Sequence, residues 1–160
     1  MQSYPSSPTT YFQAPSSNSL NLGAGPFSAD MWVRWSDPSA NNGDSWLMSK
    51  YGVVGVSGHG LDFALTRASE SPGLARLMVR VSDGTVSSSS AEWDTIPAAV
   101  PADGAWHLVA FSYDPAKLLD NRVAFYVDGV QVPSGPFNVQ NTQNLSQSVV
   151  FDVSNPAPLD

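Results

Sequence analysis

Residues 103–132 constrain this chain more than any other stretch. They read DGAWHLVAFSY, a polar loop, then RVAFYVDGVQV. On the first strand, Trp106, Leu108 and Ala110 take one face, and His107, Val109, Phe111 and Tyr113 take the other. Apolar residues on both faces predict a central strand with little water on either side. On the second, Val123, Phe125 and Val127 alternate with Ala124, Tyr126 and Asp128. Asp128-Gly129 then stands between Val127 and Val130, and that dipeptide suits the two positive φ angles of a type I′ hairpin. These strands are filled with packing residues, so ligand contacts are expected elsewhere, in the loops at 52–60 and 87–97 and at an unfinished sheet edge.

The rest of the chain follows the same two-residue rhythm. Residues 27–35 place Phe27, Ala29, Met31, Val33 and Trp35 on one face and Trp32 and Arg34 on the other. Residues 46–51 predict a third strand. Residues 60–67 put Leu61, Phe63 and Leu65 inward, and 75–83 do the same with Leu77, Val79 and Val81. Residues 85–92 are read as an edge strand, 93–101 as irregular, 133–144 as a Pro/Gly/Asn/Gln loop and 148–153 as a last strand. No segment carries a capped helical stripe; residues 115–120 suit only a turn. About nine or ten short strands separated by turn residues argue for an antiparallel sandwich.

Composition narrows the function classes. The chain has 160 residues, which favours one domain, and a net charge of −7. Binding to nucleic acid needs clustered Lys and Arg, and the seven here are scattered. Neither nucleic acid nor an anionic membrane surface is an expected partner. With no Cys there is no disulfide, thiolate metal site or Cys nucleophile. The first 21 residues lack the basic start and apolar run of a signal peptide, and no apolar run suits a membrane helix. Asn144-Leu145-Ser146 fits a glycosylation sequon, a triplet that also arises by chance.

The segments FSADMWVRW, SWLMSKYG, GLDFAL, LMVRVSDG, DGAWHLVAFSYD and VAFYVDGVQV succeed one another over residues 27–132. This ordered set resembles the laminin-G-like or concanavalin-A-like lectin/glucanase family, in its bacterial or phage form. The resemblance implies an all-β fold, an antiparallel jelly-roll sandwich of two curved sheets. Members commonly begin with an acidic Gly-Asp stretch, where this chain has SPTTYFQAP, and close with an Asp-Gly strand carrying a second acid, where this chain reaches Asp160. The expected organisation is an arm at 1–8 and one sandwich domain at 9–160 without its usual closing strand, its edge completed by another segment or subunit. Calcium is the cofactor such folds imply, held by acids near those two pieces; no ligand set is assembled from this sequence.

Catalytic chemistry is not expected. Glucanases of this fold carry a Glu-x-Asp-x-x-Glu signature on one strand. Here the only glutamates are Glu70 and Glu92, neither in such a motif, and Asp62 stands alone on its strand. No Gly-x-Ser-x-Gly elbow is present, two His do not make a zinc site, and the glycine loop at 52–60 lacks the helix and Gly-Lys-Ser/Thr ending of a phosphate cradle. His107, inside a strand, is read as structural. The candidate ligand-binding residues are Tyr51 and His59, in or beside the glycine loop, and Trp93 with Asp94, an aromatic-acid pair after a polar run. Trp32 and Trp46 are read as packing residues on the second face of a sheet.

The expected function is a non-catalytic recognition module for glycan or another surface ligand, displayed on a virion or cell surface. The alternative is a structural or decoration protein of a phage capsid or tail acting through protein partners. A polysaccharide hydrolase is the third reading.

Overall fold

A computed structural model of the chain describes residues 25–36, 45–54, 57–68, 71–83 and 90–140. Ten strands run through these residues: β1 (Phe27–Ser36), β2 (Ser45–Val54), β3 (Ser57–Arg67), β4 (Leu74–Asp83), β5 (Ser90–Thr95), β6 (Val100–Pro101), β7 (Asp103–Tyr113), β8 (Val123–Val127), β9 (Val130–Val132) and β10 (Ser134–Gln140). They form two antiparallel sheets. One is four-stranded with order β1-β7-β8-β9; the other is six-stranded with order β10-β5-β4-β3-β2, and β6 pairs with the end of β4. A 3₁₀ turn at Leu119–Asn121 interrupts the loop before β8. The expected arm at 1–8, the last strand at 148–153 and the closing edge lie outside the described residues.

The core forms because inward positions of both sheets carry large apolar side chains. Val109, Phe111 and Tyr113 of β7 and Val123, Phe125 and Val127 of β8 face Leu61, Phe63, Leu65, Leu77, Val79, Val81 and Trp93 across the sandwich. Phe63 meets Phe111 at 4.9 Å between ring centroids, and Trp93 meets Tyr113 edge-on at 6.0 Å. Trp35 of β1 donates its indole N–H to the carbonyl of Pro101, tying the two sheets at one end (2.9 Å). The β8–β9 turn is as expected: Asp128 and Gly129 have φ of 51° and 80°, both in the left-handed region.

Five expectations about elements are corrected. The glycine-rich stretch at 52–60 is not a loop: Tyr51 pairs with Gly60, Gly52 with His59, and Val54 with Ser57, so β2 and β3 form one long hairpin. Residues 90–95 are an interior strand rather than an edge, because β5 lies between β4 and β10. Residues 93–101 are irregular only at 96–99: they also hold the end of β5 and all of β6. The change of partner along β4 is bridged where the Leu77 N–H donates to Thr95 Oγ1 (3.1 Å). The Pro-containing stretch after Val132 is strand β10. It tolerates Pro136 because it pairs only with β5 among the described residues, and the register shifts between Pro136 and Asn138. Finally, β7 is central but not dry on both faces. Trp106 is 61% exposed, because the side of the four-stranded sheet away from the core faces solvent.

Candidate functional site

The six-stranded sheet carries chemistry on the face turned away from the core. Alternation makes this necessary: when Leu61, Phe63 and Leu65 point inward, Asp62 and Ala64 must point outward. The register then aligns charges that are far apart in sequence. Ser49 of β2 is opposite Asp62 of β3, Asp62 is opposite Arg80 of β4, and Arg80 is opposite Glu92 of β5. The next row runs Trp46, Ala64, Met78, Asp94.

Hydrogen bonds knit the first row. Ser49 donates its hydroxyl to Asp62 Oδ1 at 2.6 Å. Arg80 donates from both Nε (3.0 Å) and Nη2 (2.9 Å) to Glu92 Oε2, while its Nη1 lies 3.7 Å from Asp62 Oδ2. One guanidinium therefore sits between two carboxylates, the arrangement its planar fork of donors suits. The same guanidinium lies over the ring of Trp46, 5.7 Å from the centroid. Ala64, on the strand between them, carries only a methyl group and leaves room for that contact. Asp62 is 4% exposed, so its charge depends on these partners; Trp46 is 47% exposed and presents indole surface to solvent. Asp94, one row along, has Arg76 Nη1 at 3.8 Å.

The sequence-derived candidates fare differently. Trp93 is corrected: it is 0% exposed, packs on Tyr113 and donates its indole N–H to the Leu119 carbonyl (2.9 Å). Its position on β5 is an inward one, and no sugar ring reaches it. Asp94 does face away from the core, but it is buried beside Arg76 rather than displayed on a loop. Tyr51 and His59 sit in paired backbone of β2 and β3, and their side chains lie outside the described residues. Asp62, read as isolated, is the buried centre of a network. Trp46, Ser49 and Arg80 were missed. The available signal was that polar residues hold the outward positions 62, 80 and 92 of three strands whose inward positions are apolar. What was lacking was register.

A second polar cluster has a structural character. Asp128 Oδ1 accepts the N–H of Leu108 (2.9 Å), and Asp128 Oδ2 bonds His107 Nδ1 (2.8 Å). Asp103 Oδ1 accepts the Ala105 N–H (2.8 Å) and lies 3.2 Å from His107 Nε2. The hydrogen bond to Asp128 holds His107 above its ordinary range, against the opposing effect of burial, with Asp103 adding to the rise. Asp103 is held below the usual carboxylate range, first by the Ala105 N–H and then by His107. Asp128 is lowered first by its bond to His107 and then by the Leu108 N–H. These bonds lock the start of β7 to the β8–β9 turn. Among the described residues no group of three or more His, Asp or Glu side chains is arranged to hold a metal ion. The calcium that the resemblance implies finds no fitting ligand set there.

Two antiparallel sheets packed face to face, one with charged and aromatic side chains on its outer surface, define a lectin-like β-sandwich. A family model described as the concanavalin A-like lectin/glucanases superfamily matches residues 6–157, and the chain belongs to that family. No curated protein and no solved structure matches the chain. The family supports binding of carbohydrate or another ligand as the broad function, and it also includes glucanases. No helix among the described residues is long and apolar enough to cross a membrane.

Proposed function

We propose that this protein is a non-catalytic recognition module that binds glycan on the outer face of its six-stranded sheet. The observation that carries the reading is the row Ser49–Asp62–Arg80–Glu92 with the half-exposed indole of Trp46 beside it. A sugar ring offers an apolar C–H face and a rim of hydroxyls. The first suits an indole surface, and the second suits the partly exposed Arg80 guanidinium and Glu92 carboxylate, already held in place so that their ordering is not a cost of binding. Asp62 and Glu92 are tied to one guanidinium instead of flanking an open gap. That favours recognition over glycoside hydrolysis, which needs one carboxyl to give up a proton and the other to act on the sugar. The proposed setting, an extracellular or virion surface, rests on the lectin-like family alone.

Glycan-array screening followed by titration calorimetry, with and without calcium, tests the reading. Wild-type chain is expected to bind a defined glycan class, and Trp46→Ala to weaken that binding about tenfold or more. The calcium arm tests whether acids outside the described residues hold that ion, as the family resemblance implies. Absence of binding across the panel, or full affinity in Trp46→Ala, would overturn it. Hydrolysis of a bound polysaccharide that disappears in Glu92→Gln would replace it with the enzymatic reading.

A further inference from the structure

The outer face of the other sheet carries a different pattern. On β1, Asp30, Trp32 and Arg34 all point away from the core, and Trp32 is 63% exposed. On β7, their register partners are Ala110, Leu108 and Trp106, in that order, and Trp106 is 61% exposed. The two indoles are diagonal neighbours across one strand pair. Opposite charges thus stand symmetrically on either side of Trp32. They cannot neutralise each other within one chain, because residues four apart on a strand are separated by about 13 Å. Neither takes part in an ion pair with another described residue.

We infer that this face docks a second copy of the chain about a two-fold axis that passes through Trp32 and runs across the strands. Such an axis reverses strand direction and turns the two faces towards each other. It brings Asp30 opposite the partner's Arg34 and Arg34 opposite the partner's Asp30, the reciprocal pairing a two-fold interface requires. The alternative axis, running along the strands, would set like charges against each other. The same operation is complementary in volume. Trp106 is in register with Arg34 and Ala110 with Asp30, so each Trp106 lies over the partner's Ala110, a large side chain against a small one. Leu108 and Trp32 close the centre. The face spans about three strands by seven residues, near 350 Å² per copy, against about 800 Å² per partner in a standard interface. The dimer is therefore weak, with a dissociation constant of order 0.1 mM, and its ion pairs are salt-sensitive.

Sedimentation velocity on the full chain, from about 10 µM to 1 mM, tests this inference. A concentration-dependent monomer–dimer equilibrium is expected, weakened by high salt. Asp30→Arg alone and Arg34→Asp alone each weaken it about tenfold, by turning two attractive pairs into repulsive ones. The double variant D30R/R34D restores it, because the charges again alternate in sign across the axis. Trp32→Ala with Trp106→Ala abolishes it, while circular dichroism confirms that this variant folds. A chain monomeric at every concentration overturns the inference, as does a dimer indifferent to these substitutions. If the monomer instead adsorbs to an insoluble polysaccharide through Trp32 and Trp106, the face is a ligand platform and self-docking is likewise overturned.

Discussion

At the scale of single residues, environment decides role more than residue type does. Four tryptophans show the range. Trp93 is sealed in the core with its N–H satisfied, Trp35 ties the two sheets, Trp46 is half exposed beside Arg80, and Trp32 faces open solvent. His107 shows the same for titration. Its partners hold it protonated to higher pH than an ordinary histidine, so the stability it contributes is fully present below about pH 6.5 and is lost as pH rises through its raised value. Asp103 and Asp128 work in the other direction. Their contribution is present above about pH 3.8 and is lost as pH falls through their lowered values. The clamp is thus strongest in mildly acidic solution. NMR titration is expected to place His107 above the ordinary value in wild-type chain and to bring it down in Asp128→Asn. In His107→Ala, urea-unfolding midpoints should lose the part of their pH dependence that lies above about pH 6.5.

At the scale of elements, turns and alternation were legible, and pairing was not. The β8–β9 hairpin was readable from two residues because few sequences tolerate positive φ at both turn positions. Gly129 isolates that constraint: a Cβ there meets no atom within 4 Å, so only the backbone conformation opposes one. Gly129→Ala is expected to lower stability by about 1–2 kcal/mol in chemical denaturation, with glycan affinity unchanged. A D-alanine introduced at the same position by chemical synthesis should restore the loss, since it suits positive φ. The strands at 90–95 and 134–140 were harder to read for a physical reason. One is rich in serine before it begins and the other contains Pro136, and both become strands through their partners. β10 survives by pairing with β5 around a register shift. The glycines at 52–60 suggested a loop by composition, yet the β2–β3 pairing takes Gly52, Gly58 and Gly60 into paired strand.

At the scale of the whole molecule, the sandwich separates two surfaces. The proposed glycan face lies outside the six-stranded sheet and the proposed self-docking face outside the four-stranded sheet, with the hydrophobic core between them. Two sheets packed face to face hold their outer surfaces well beyond the ~10 Å that separates the backbones, too far for direct contact between substitutions on them. Their effects should therefore add without coupling. Trp46→Ala is expected to leave sedimentation unchanged, and Asp30→Arg to leave the affinity for a soluble monovalent glycan unchanged. The two-fold turns the two glycan faces in opposite directions, so wild-type chain should cross-link a soluble multivalent glycan at concentrations where it dimerises, and Asp30→Arg should not. Light scattering reads that cross-linking.

The sequence by itself determined the class of fold. Period-two alternation, the Asp-Gly turn and the lack of helical stripes left an antiparallel sandwich as the consistent reading, because those signals are local and each strand carries its own. It also determined which residues enter the core from residues 61–65, 77–81 and 123–127. The candidate site came from tertiary structure alone. Asp62, Arg80 and Glu92 are separated by 18 and 12 positions in the chain, and only the register of β3, β4 and β5 places them in one row. Tertiary structure alone also showed that residues 103–132 have a wet outer face with Trp106 on it, since exposure depends on what packs above a strand. Alternation says which side chains share a face; it does not say whether that face is covered.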